Sequence, residues 1–362
     1  MRSQLDEAVR AVLDRRVYVL GPQLEAFERE FAEYLGVHHV IGVGNGTDAL
    51  TITLRAMGIG PGDEVVVPSF TFYASAEAIP PTGARPVFCD IDLETYCVTA
   101  ETVRAALTPR TKAVIGVDLF GNPVPIDELE ALGVPIVEDA AQAAGTRLDG
   151  RLAGSLGHAA TFSFYPSKNL PAFGDGGAVA TNDETLAERL RLLRSHGSRD
   201  RTTFEAVGFN TRLDELQAAL LRVLLPELDA WAEGRREAAR RYADAGLGDR
   251  VTLPRPVNGA EPAWHLYVVR RQDIEAIADA LTLAGIGWKA YYRTPIHRQP
   301  AMRAYGNGVD LPATEEAART HLAIPMSPAL SRDQAEAVVA AMSNVETAGR
   351  LPGSLVGSMR RT

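Results

Sequence analysis

Cysteine is scarce in this chain of 362 residues, where Cys89 and Cys97 are the whole supply. Two thiols cannot build a disulfide framework or a four-thiolate zinc site, and no metal is expected. Long apolar runs are missing too. No stretch reaches 18 uninterrupted apolar residues, so no membrane span is expected. The opening MRSQLDEAVRAVLDRR has no apolar core of the signal-peptide kind. These absences together point to a cytoplasmic protein. Basic residues are outnumbered, 37 against 46 acidic, for a net charge of −9. A nucleic-acid partner would demand surplus Lys and Arg, whereas one phosphorylated ligand needs only a local cradle of backbone amides. Internal repeats and low-complexity tracts are also lacking. What remains, 46% hydrophobic and 23% charged, can bury a large core and is long enough to divide in two.

The order of the apolar runs predicts the architecture. An amphipathic helical opening runs to about Leu35, broken at Gly21-Pro22. Short β-branched runs follow, with strands expected at 37–43, 64–67, 86–89, 113–117, 134–137, 161–164 and 178–180. Helices are expected between them, at 48–57 and 71–78 among others. Continuous apolar strands with helical crossovers imply an α/β fold whose mostly parallel sheet is sandwiched by helices. Ligands of such sheets sit beyond the carboxyl ends of the strands. After Asn182 a long helical stretch, LDELQAALLRVLLPELDAWAEGRREAARRYADA, should break at Pro226. Its leucine stripe reads as core or as a dimer seam. A smaller α+β unit follows, with strands at WHLYVVR and GWKAYY and helices over 273–285 and 331–342. The expected division is a large domain over 1–230, a small one over 231–346, and a disordered tail over 347–362.

Three segments carry candidate chemistry. Gly44-Asn45-Gly46-Thr47 follows the first strand and opens a helix, as either a tight turn or an anion cradle. The segment lacks full G-x-G-x-x-G spacing, and Asp63 and Glu64 precede the next strand instead of ending it, against a nicotinamide site. In VPIVEDAAQAAG, Asp139 falls just past an apolar strand with Gln142 three residues on, as a helix cap or a ligand-facing carboxylate. In TFSFYPSKNLPAFGDGGAVAT a strand delivers Ser163 and then, across a Pro-containing turn, Lys168. Most lysines are solvated surface charges, but partial burial here would lower the pKa and free a nucleophilic amine. One ligand explains a phosphate cradle, a carboxylate and a lysine on one sheet edge: pyridoxal phosphate. The lysine forms the Schiff base, the carboxylate pairs with the protonated ring nitrogen, and the displaced lysine shuttles the proton.

With those residues in place, the sequence resembles the DegT/StrS family of pyridoxal phosphate-dependent nucleotide-sugar aminotransferases. GVGNGTDAL, GPGDEVVVPSFTFYASAEAI, GARPVFCDID, VEDAAQAAG, FSFYPSKNLPAFGDGGAV, RSHG, GFNTRLDELQAAL and LPATEEAARTHLAIPMSP occur in family order, from about Leu20 to Met342. The resemblance implies a fold-type I transferase, active as a homodimer with shared sites. It makes Lys168 the Schiff-base lysine and Asp139 the pyridinium partner. Gln142 would bond the ring hydroxyl, and Gly46, Thr47 and Ser163 would hold the phosphate. Asn210 would reach that phosphate from the other subunit. Phe72 would stack on the ring or serve only as core. On the substrate side the resemblance nominates Tyr165, Tyr291 and His297. Arg293 stands where many relatives have proline, and relatives carry a longer segment ahead of the first helix. The activity implied is transfer of an amino group from glutamate to C3 or C4 of a nucleotide-activated keto-deoxyhexose. Rival readings are an aminocyclitol aminotransferase on the same scaffold and a non-catalytic, cofactor-binding regulatory protein. Keeping both Lys168 and Asp139 speaks against the second.

Overall fold

The computed structural model describes residues 1–348. Helices α1 (Arg2–Arg15) and α2 (Pro22–Leu35) open the chain, with Gly21 and Pro22 at the break. Proline suits a first helical turn because its missing N–H would have no partner there. The other exposed amides of that turn are taken by a remote carboxylate. Buried Glu215 accepts from the N–H groups of Gly21 (3.0 Å), Gln23 (2.9 Å) and Leu24 (2.8 Å).

Strand β1 (His39–Val43) leads into α3 (Gly46–Ala56), and β2 (Glu64–Pro68) into the short α4 (Ala74–Glu77). Next come β3 (Arg85–Cys89), α5 (Ala100–Ala106), β4 (Thr111–Val117), α6 (Ile126–Glu130) and β5 (Ile136–Asp139). A two-residue ribbon, β6 (Arg147–Leu148) and β7 (Arg151–Leu152), precedes β8 (Ala159–Ser163) and β9 (Gly177–Thr181). Seven of these strands form one sheet in the order β1-β9-β8-β5-β4-β2-β3. Every pairing is parallel except the two made by β9, which runs antiparallel to both β1 and β8.

The sheet is buried on both faces, which is why its strands read as unbroken apolar runs. Neighbouring residues of one strand join different cores. Val179 packs with Ile52 of α3 and with Leu186 and Leu190 of α7 (Glu184–Leu193), whereas Ala178 and Ala180 pack with Phe27 and Phe31 of α2. The expected α/β sandwich is the architecture found.

Past the sheet, α8 (Glu215–Leu224) and α9 (Leu228–Asp244) are separated by one tight turn around Pro226, as the missing amide requires. Helix α9 runs unbroken through residues 230 and 231, where the domain division was expected. Its Ala232 packs on Gly145 of the large unit, while Ala238 and Tyr242 join a separate core with Tyr267, Ile277 and Met342. That second core lies among β11 (Tyr267–Arg270), α10 (Ile274–Leu283), β12 (His321–Ile324) and α13 (Arg332–Ala348). Between these elements α11 (Arg303–Gly306) and α12 (Pro312–Thr320) lean on the large core, and β10 (Ala260–Glu261) pairs with β6.

Three expectations need correction. GWKAYY is no strand: Lys289 alone makes a bridge, to Ala323, and Tyr292 then turns the chain in the left-handed region (φ 65°). The strand that does pair with WHLYVVR is β12, antiparallel. The helix expected over 71–78 shrinks to Ala74–Glu77. Helix α13 continues to Ala348, and the remainder of the tail expected to be disordered lies outside the described residues. Among the described residues no helix is long and apolar enough to cross a membrane. Cys89 and Cys97 are free and buried.

Candidate active site

The carboxyl ends of β5 and β8 deliver two charges into one buried space. Asp139 is the last residue of β5 and is only 5% exposed. Burial pushes its carboxyl up, and three partners oppose that. The Ser75 hydroxyl donates to Oδ2 (2.7 Å), the Ala141 N–H donates to Oδ1 (3.3 Å), and the Lys168 ammonium lies within electrostatic reach. Lys168 closes a turn beyond β8, its N–H donating to the Tyr165 carbonyl (2.8 Å). Its amine is pulled down to about 8, because desolvation outweighs the nearby Asp139 charge. An amine in that range is partly neutral near pH 7, so it can act as nucleophile and base.

The glycine-rich loop after Lys168 is pinned to α8, where Gln217 Oε1 accepts from the Phe173 N–H (2.8 Å). On the other side, the start of α3 meets the end of β8. Asn45 caps the helix by accepting from the Asp48 N–H (2.8 Å), which leaves the amides of Gly46 and Thr47 without helical partners. Gly46 must be glycine: a Cβ there would stand 2.8 Å from the Ser163 Cβ. Gly177, paired with Ser163 across β8 and β9, is equally constrained, since its Cβ would stand 2.5 Å from the Asn45 carbonyl. Outward amides, a helix N-terminus and the Ser163 hydroxyl make a compact anion cradle.

Gln142 follows Asp139 in the next turn, its Oε1 accepting from the Phe120 N–H (2.8 Å). Phe72 and Tyr165 stand exposed, 57% and 55%, large aromatic rings with no core to fill. Asn210 is exposed, bridges Ser195 and accepts from Arg212; among the described residues nothing of this chain ties it to Lys168. Tyr291 is half-buried under the Lys289 ammonium, 5.0 Å from its ring centre.

His297 is a correction. Its ring has no exposed surface, with Nδ1 on the Ser69 hydroxyl (2.7 Å) and Nε2 on Glu315 (3.0 Å). The Ser69 oxygen also accepts from the His297 N–H (3.0 Å). With both nitrogens spent, this histidine ties the end of β2 to α12 and has nothing left to give a substrate.

Several contributors escaped the sequence reading. Ser75 is one; it sits in SFTFYAS, a segment singled out only for its aromatic ring. Thr71 stands behind it (3.2 Å), so one Ser75 hydrogen serves Asp139 while Thr71 donates to Ser75. Glu138 is held by the N–H groups of Gly154 (2.7 Å), Leu156 (3.2 Å) and Gly157 (3.4 Å), beside Asp118, whose carboxyl burial and the Glu138 charge push far up. Buried His265 is held neutral by desolvation and by the Lys168 and Arg235 charges. Ser75→Ala leaves Asp139 without its shortest donor. Its carboxyl rises further, so the acid limb of the activity profile should move to higher pH. Turnover should fall roughly tenfold, the scale of one hydrogen bond to a charged group. An unchanged profile would rule out that support.

A sequence model of the "DegT/DnrJ/EryC1/StrS aminotransferase family" matches residues 1–343. The dTDP-3-amino-3,4,6-trideoxy-alpha-D-glucose transaminase of Streptomyces venezuelae is 45% identical over 350 residues, covering 94% of this chain and 92% of that protein. A pleiotropic regulatory protein of Geobacillus stearothermophilus is 41% identical, covering 93% and 94%. Among solved structures, S. venezuelae DesV in complex with a ketimine intermediate superposes with a TM-score of 0.92 at 44% identity, covering 97% of this chain and 95% of that one.

Proposed function

Because this chain belongs to the DegT/DnrJ/EryC1/StrS aminotransferase family, we propose that it aminates the keto carbon of a nucleotide-activated keto-deoxyhexose, taking the amino group from glutamate. Pyridoxal 5'-phosphate is the cofactor of this reading, and the sugar position is C3, as in the name of the streptomycete relative. The observation that carries it is the Lys168 amine, lowered to about 8 within electrostatic reach of buried Asp139, on the chain that leaves β8 where Ser163 meets the amide cradle of α3.

The donor set fits that cofactor. The space that a Cβ on Gly46 would fill lies against Ser163, and Gly46, Thr47 and Ser163 supply donors for a phosphate. Asp139 supplies an anion for a protonated ring nitrogen, and Gln142 a donor for the ring oxygen. Bound there, the cofactor would supply a ring that withdraws the electron pair freed when a proton leaves the amino donor. Asp139 keeps that ring cationic, with Ser75 keeping Asp139 ionised. Lys168 Nζ would hold the resting cofactor. Once displaced, it takes the proton from the α-carbon of glutamate and later delivers one to the sugar carbon. Phe72 covers the ring. Tyr165 and Tyr291 border the sugar, and a second copy of the chain brings Asn210 to the phosphate. Exposed Phe72, Tyr165, Phe173 and Phe204 support such a dimer, being the kind of large apolar surface that a partner covers.

The test is a visible spectrum of the purified protein with pyridoxal phosphate, before and after glutamate. A cofactor band that glutamate abolishes supports the reading. A folded protein with no band overturns it, and a band that glutamate leaves unchanged overturns the transfer and favours a regulatory role like that named for the Geobacillus relative. Feeding keto nucleotide sugars and keto-inositols to the aminated form separates sugar from cyclitol substrates.

A further inference from the structure

The side-chain amide of Gln142 is held at both ends. Its Oε1 takes the Phe120 N–H (2.8 Å), and its Nε2 donates to the hydroxyl oxygen of Tyr292 (3.2 Å). Turning the amide over would set Nε2 against the Phe120 N–H, two donors face to face, so the orientation is locked. One N–H of Gln142 remains. Tyr292 receives a bond at its oxygen, and among the described residues no acceptor takes its own hydrogen.

The ring of Tyr292 is fixed as firmly. It lies parallel to Phe120 (6.0 Å, 9°) and edge-on to Phe70 (5.7 Å, 88°). Its backbone is left-handed (φ 65°), a conformation bulky residues adopt only where their surroundings hold them to it. Burial raises its hydroxyl well above the ordinary value. The charge of Asp139, itself beside Lys168, and the neighbouring Tyr291, whose backbone meets His321, are joined to it electrostatically. Tyr292 therefore keeps its proton at every working pH, so that while its oxygen accepts from Gln142 its own hydrogen stays available to donate.

We infer that Tyr292 is a positioning residue for the cofactor's ring oxygen: it locks Gln142 with one N–H on that oxygen and adds its own hydroxyl hydrogen. The inference rests on the cofactor reading above and deepens it. Two donors favour the anionic form of the oxygen, and so lower the pH at which the bound chromophore loses its proton. Tyr292 also belongs to the segment bridged to β12 through Lys289 and Ala323, so the ring oxygen becomes tied to the C-terminal unit.

Tyr292→Phe tests this, since phenylalanine keeps both ring contacts and loses only the oxygen. The full-length protein and the variant are loaded with pyridoxal phosphate and their visible bands titrated. The pH midpoint should rise by about one unit in Tyr292→Phe, a tenfold change in proton affinity. A variant that binds cofactor with an unmoved midpoint overturns the inference while the cofactor reading stands. A wild-type protein with no band overturns both. Should Tyr292→Phe bind too weakly to titrate, Gln142→Met breaks the same link from its other side. There a rise above one unit, more than the single Gln142 N–H accounts for, supports the pairing, and a smaller rise or the wild-type midpoint refutes it.

Discussion

Lys168→Ala should leave a folded protein whose turnover falls on the order of 10⁴-fold or more, because in the proposed reaction one amine serves as covalent anchor and as proton carrier. Fold is not at risk, since among the described residues Lys168 donates no side-chain hydrogen bond and it sits in a loop. The same lysine has a measurable cost. Its folded pKa is about 8 against an ordinary 10.5, so between those values the unfolded chain holds a proton that the folded chain has released. Stability owed to this group thus rises with pH across that window, and below it the buried ammonium is a constant penalty. Lys168→Met removes the penalty. The ligand-free variant should be more stable than wild type at pH 7 by about 1–2 kcal/mol, less than the full shift implies because Asp139 loses its counter-charge. The gap should close as pH climbs from about 8 to 10.5, read as urea midpoints at several pH values. A gap that widens would mean the amine is stabilised as a cation.

Asp139→Asn should be nearly as damaging to chemistry and milder to binding. Asparagine preserves the shape and can still accept from Ser75, but it cannot hold a cationic ring nitrogen. Turnover should fall on the order of 10³-fold, the scale of a lost charge at a desolvated site. The cradle formed by Gly46, Thr47 and Ser163 is untouched, so the visible band of bound cofactor should persist. The loss of that band on adding glutamate should slow in parallel with turnover, followed in a single-turnover experiment. Turnover within tenfold of wild type would remove Asp139 from its assigned place. The Lys168 amine should titrate still lower in this variant, since the Asp139 charge is what raises it.

Much of this molecule is legible along the chain. The sheet strands betray themselves as short apolar runs because helices cover both faces. The break at Pro226 follows from one absent N–H, and the entry to α2 from Gly21-Pro22. Gly46, Asp139, Ser163 and Lys168 could be picked out because each follows or ends a strand, and strand ends of a parallel sheet converge. Their local setting predicts their place.

What stayed hidden is held by pairs distant in sequence. Ser75 lies 64 residues from Asp139, Gln142 lies 150 from Tyr292, and Glu215 caps a helix more than 190 residues away. No local pattern marks such partners, because a serine or tyrosine looks the same whether it faces water or a buried carboxylate. His297 shows the converse: a histidine in a promising segment turns out to have both nitrogens spent on Ser69 and Glu315. GWKAYY fails as a strand for a related reason, since Tyr292 adopts a left-handed backbone that only its contacts with Phe120, Phe70 and Gln142 can sustain. The sequence by itself determined the sheet, the helix breaks and the charges at the strand ends, all set by local backbone chemistry and burial period. Only the tertiary structure decided which hydroxyl opposes the burial that raises Asp139, which burial lowers Lys168 and which ring fixes Gln142, because desolvation and hydrogen-bond partnership exist only once remote segments meet.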